Sequence, residues 1–78
     1  MSNTIWAIVN KCEALIGKPF TLFTAGTHDT LEENIDNLYV LGSDGETFSD
    51  YLLENGISLS AQGNNATLSC EDETWEFC

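Results

Sequence analysis

Three features of the sequence predict an α+β domain with an N-terminal amphipathic helix, a short acidic second helix and an antiparallel sheet of about four to five strands. Apolar residues recur at helical spacing near the start, a capping signal opens an acidic stretch near residue 30, and the last third alternates apolar and polar residues with a period of two. With 78 residues and 42% hydrophobic content the chain has material for one core, so residues 1–78 are read as a single domain.

Ile5, Ile8, Val9, Cys12, Leu15 and Ile16 share one helical face, with residues 2–4 available as caps and Gly17 just beyond the end. Pro19 stops this helix, and the aromatic and β-branched residues 20–24 read as a strand. Thr30, Leu31, Glu32 and Glu33 fit a capping box, in which the Thr30 hydroxyl caps a first-turn amide and Glu33 reaches back; a short helix then runs to about Asn37. Residues 38–48 look like a hairpin that turns at residues 42–45 and returns through Thr47 and Phe48. Ser49 caps one helical turn through Tyr51 and Leu53, which Gly56 ends.

From Ile57 the period becomes two. Ile57, Leu59 and Ala61 alternate with Ser58, Ser60 and Gln62, a turn at residues 63–65 follows, and Ala66, Leu68 and Cys70 alternate again. Trp75 and Phe77 alternate with Thr74 and Glu76 and form a last strand.

Thirteen acidic residues face only Lys11 and Lys18, with no arginine, which gives a net charge of −11. Solubility alone asks for a magnitude of roughly 2 to 8 in a small domain. Twelve of the thirteen acids lie beyond residue 28. Nucleic acid and anionic membranes are bound through Lys and Arg, so neither is an expected partner. No apolar run approaches the ~20 residues of a membrane span and no signal-peptide pattern opens the chain, so a cytoplasmic protein is expected. Cys12, Cys70 and Cys78 are an odd number without metal-binding spacing and are expected to be free thiols.

Two acidic groups are the candidate binding residues. Asp29, Glu32, Glu33 and Asp36 line one side of the second helix, with no basic residue to offset them. Glu71, Asp72, Glu73 and Glu76 surround the final strand, and Trp75 among them is the preferred aromatic anchor over Trp6, Tyr39 and Tyr51. Carboxylates one helical turn apart, at ~5 to 6 Å, coarsely match a row of phosphates. No metal or other cofactor is expected, since Val40 stands where the first ligand of a calcium loop around Asp44 would be. No catalytic residues are assigned and the chain is not read as an enzyme, because His28 is the only histidine and no nucleophile or phosphate-loop motif is present.

In these features the chain resembles the small acidic proteins made by phages and mobile elements that inhibit host nucleic-acid enzymes, anti-CRISPR proteins among them. The element order over roughly residues 4–42, with Gly17-Lys18 before the first strand and the acidic Leu31-Glu32-Glu33 helix after it, is similar to that of uracil-DNA glycosylase inhibitors. Residues 24–27, Thr-Ala-Gly-Thr, depart from the acidic first-strand motif of that family. The resemblance implies a DNA-mimic inhibitor that acts in the host cytoplasm and occupies the basic nucleic-acid-binding surface of a protein such as a Cas effector subunit. Glycosylase inhibition is the nearest alternative, and an acidic adaptor or immunity protein that mimics no DNA is another.

Overall fold

Helix α1 (Asn3–Ile16) buries Ile5, Ile8, Val9 and Cys12 along the face that their spacing predicts. The structure is a computed structural model that describes residues 3–24, 26, 28–42 and 44–78. The expected cap at Ser2, the turn residue Ser43, and Ala25 and Thr27 of the segment after the first strand lie outside the described residues. Gly17 ends α1 in the left-handed region, at φ 87°, and donates its N–H to the Glu13 carbonyl at 2.9 Å.

Strand β1 (Leu22–Thr24) begins two residues later than the alternation suggests. Phe20 is drawn out of the strand because its N–H donates to Glu13 Oε2 at 3.2 Å, while its ring packs on Phe48 and Tyr51 at centroid distances of 5.7 and 5.3 Å. Helix α2 (Leu31–Asp36) forms at the capping signal. The Thr30 hydroxyl accepts from the Glu33 N–H and donates to the Glu33 carboxylate, both at 3.1 Å, so Glu33 reaches back to the hydroxyl.

Strand β2 (Leu38–Val40) pairs antiparallel with β1, with Phe23 opposite Tyr39. The hairpin expected over residues 38–48 is reduced to one bridge, Tyr39 to Thr47, and a bond from the Val40 N–H to the Glu46 carbonyl at 2.8 Å. Thr47 instead caps helix α3 (Phe48–Glu54), its hydroxyl accepting the Asp50 N–H at 3.2 Å, so the cap is Thr47 and not Ser49. Phe48 enters the core as the first helical residue, and that burial outweighs a second strand here.

Strands β3 (Ile57–Gln62), β4 (Asn65–Cys70) and β5 (Glu73–Phe77) form an antiparallel meander with Leu59 opposite Leu68 and Leu68 opposite Trp75. The fold is therefore α+β as predicted, with five strands among the described residues, but in two sheets of two and three strands instead of one. α3 separates them because it takes up the segment that would have joined β2 to the meander. The buried faces of α1, α2, α3, β2, β3 and β4 meet in one hydrophobic core. Among the described residues, no helix is long and apolar enough to cross a membrane.

Candidate acidic binding surface

The carboxylates remain outside the core because no basic side chain accompanies them inward, and burying an unpaired charge is costly. Eleven of the thirteen acidic residues are exposed, and only Glu13 and Glu46 are partly covered. Glu32, Glu33 and Asp36 fall within one arc of α2, opposite the buried Leu31 and Ile35, as the sequence implies. Asp29, also exposed, precedes the cap.

Glu32 has a structural task that its sequence context does not reveal. Its N–H donates to the Gly63 carbonyl at 2.8 Å, and its Oε1 accepts the Gly63 N–H at 2.9 Å. The Leu31 N–H donates to Asn64 Oδ1 at 3.1 Å. These three bonds latch the first turn of α2, whose leading N–H groups lack helical partners, to the β3–β4 turn. Glu32→Ala should therefore lower stability by about 1 kcal/mol in urea denaturation, whereas Asp36→Ala, which touches no such bond, should change it by roughly half that or less.

The second acidic group is divided by the pleat. Glu71 lies in the tight β4–β5 turn with φ 57°, Glu73 stands opposite Cys70, and Glu76 stands opposite Thr67. Glu73 shares the parity of Trp75 and Phe77, which pack on the core, whereas Glu76 projects from the other face. Glu71, Asp72 and Glu73 thus lie at the β4–β5 turn, Glu76 lies three residues farther along β5, and the four do not make a single row.

A third group, which sequence reasoning missed, joins residues from a loop and a helix. Glu46 precedes the α3 cap, while Asp50 and Glu54 lie one helical turn apart on the exposed side of α3. The Glu46 carboxyl is raised above the ordinary value of 4.5 by a hydrogen bond with Glu54, then by partial desolvation and by the charges of Glu54 and Asp50. The available signal was Thr47-x-x-Asp50, the same cap spacing as Thr30-x-x-Glu33; Asn55 and Asn37 close the two helices alike, with side-chain bonds of 2.8 Å to the Tyr51 and Glu33 carbonyls.

Because the folded state holds the Glu46 proton more tightly than the unfolded chain, this group favours folding at pH below 4.5, and that contribution is lost as pH rises through the raised value. Glu54→Gln retains a hydrogen-bonding partner and removes the repelling charge. It should raise the thermal midpoint at neutral pH and leave it nearly unchanged in acid, which melts at the two pH values will show.

Of the aromatic candidates, Trp75 is half-buried against the core, and Lys11 Nζ sits 4.2 Å from its ring centroid. Tyr39 stacks on Phe23 at 5.5 Å, and Tyr51 is packed on Phe20. The more open tryptophan is Trp6, 49% exposed on α1. The structure therefore engages the anchor that the sequence favoured and leaves uncovered one that it ranked lower. Cys12, Cys70 and Cys78 are free thiols, and burial pushes Cys12 up to about 12, with Cys70 and Glu13 adding to the rise. His28 is half-buried in the loop before α2, where its carbonyl accepts from Asn34 Nδ2 at 3.2 Å. Among the described residues, no three His, Cys, Asp or Glu side chains are grouped to hold a metal ion.

Comparison of the chain with protein-family models, curated proteins and solved structures returns no match.

Proposed function

We propose that this protein is a small acidic inhibitor that binds the basic nucleic-acid-binding surface of a host defence complex, as a DNA mimic of the anti-CRISPR type. The observation that carries this reading is the one-sided surface charge. Eleven carboxylates are exposed, while one of the two lysines is folded over the chain's own Trp75. A surface of this kind repels nucleic acid and is attracted to the grooves that hold it, where counterions are released as they are from a phosphate backbone. The three carboxylate groups lie on α2, on α3 and its preceding loop, and along β5 and the turn before it, so a groove can meet more than one of them. The work of the protein is occupation and not chemistry.

A competition assay tests the reading. Increasing amounts of the protein are added to guide-loaded Cas effector and labelled target DNA, with uracil-DNA glycosylase run in parallel. Displacement of DNA from the effector, without a shift of DNA by the inhibitor itself, is the expected result. Inhibition of the glycosylase alone would move the target to the alternative family, and displacement in neither assay would favour an adaptor that mimics no DNA.

A further inference from the structure

The groove between α1 and β1 is lined by Trp6, Val9, Glu13, Phe20, Thr21 and Leu22 and encloses about 190 Å³. Trp6, Val9 and Glu13 lie along one side of α1, three and four residues apart, so the indole and the carboxylate face the same channel. The bond from the Phe20 N–H to Glu13 Oε2, at 3.2 Å, holds that carboxylate in place and uses only part of its acceptor capacity. We propose that this groove receives an arginine side chain from a basic protein partner, with the guanidinium stacked on Trp6 and hydrogen-bonded to Glu13.

The chemistry of the lining selects the occupant. An indole face attracts a cation, a carboxylate accepts the planar guanidinium fork, and the apolar walls of Val9 and Leu22 suit the aliphatic stem. The protein already makes half of this arrangement within itself, since Lys11 covers Trp75 at 4.2 Å while Trp6 is left open. A second copy cannot supply the guest, because the chain has no arginine and each copy carries a net charge of −11. Nucleic acid, being anionic, cannot supply it either.

This inference deepens the proposed function and rests on it for the source of the arginine. The test is an NMR titration of the full chain with acetyl-Gly-Arg-Gly-amide and with its citrulline counterpart, which keeps the shape and loses the charge. Saturable shifts of the Trp6 indole N–H and the Phe20 amide are expected with arginine, and roughly tenfold weaker binding with citrulline or in Glu13→Gln. Glu13→Gln keeps an oxygen to accept the Phe20 N–H, and an otherwise unchanged amide spectrum shows that the variant is folded. Shifts confined to the exposed acids, with Trp6 unmoved, would overturn the groove and leave the proposed function standing. Equal binding of arginine and citrulline would also overturn it. Arginine capture at Trp6 by a protein that displaces no DNA would retain the groove and defeat the proposed function.

Discussion

Phe48→Ala should remove a large share of the stability of the fold. Phe48 is fully buried and its ring lies 5.7 Å from that of Phe20, so truncation removes both a large apolar surface and an aromatic contact. Substitutions of this kind cost about 3 to 5 kcal/mol, and a domain of this length holds only roughly 4 to 12. The position also begins α3 directly after its Thr47 cap, so the loss reaches the helix that separates the two sheets. Urea denaturation followed by far-ultraviolet circular dichroism measures the change. Phe48→Leu, which keeps most of the volume, should cost roughly 1 to 2 kcal/mol and remain folded. An alanine variant as stable as the parent would mean that the core can close around the void.

Charge reversal on the acidic surfaces should act on association and leave the fold intact. Asp29→Lys with Asp36→Lys alters the α2 surface without touching the Glu32 latch or the bond from Thr30 to Glu33, and Asp72→Lys with Glu73→Lys makes the matched change at the end of the meander without touching the left-handed Glu71. Exposed charges contribute little to folding, typically below ~1 kcal/mol, but summed charge governs encounter over tens of ångströms. Each double variant should slow association with a basic target by roughly tenfold or more at low salt. The difference should shrink near physiological ionic strength, where the screening length is about 8 Å. A larger loss in one variant identifies the contact surface, whereas equal losses indicate diffuse attraction. Unchanged association in both, with folding confirmed, would refute the DNA-mimic reading and leave the open aromatic groove at Trp6 as the better surface.

Local rules made much of this molecule legible in its sequence. The α1 face, the Gly17 stop, the Thr30 cap and the alternating meander each follow from steric and hydrogen-bonding preferences within a few residues, and the structure contains all of them. The exposure of the acids followed as well, because a chain with two basic residues has no means of pairing thirteen carboxylates in its interior.

What escaped the sequence depends on residues far apart in the chain. Thr47 and Phe48 have the composition of a strand, and only the demand of the core for Phe48 turns them into the start of a helix and divides one sheet into two. Glu32 looks like its neighbour Glu33 until the β3–β4 turn, 31 residues later, offers the Gly63 N–H to its carboxylate. Glu46 and Glu54 meet because the chain bends between them, and Trp75 rather than Trp6 is covered because it packs on the core and Lys11 on α1 reaches its ring. The sequence by itself determined the elements, their faces and the sign of the surface, since backbone preference and burial act locally. Which carboxylates support the fold, which tryptophan stays open and which groups form a surface were decided by tertiary packing, because a side chain's task depends on the partner that distant segments bring to it.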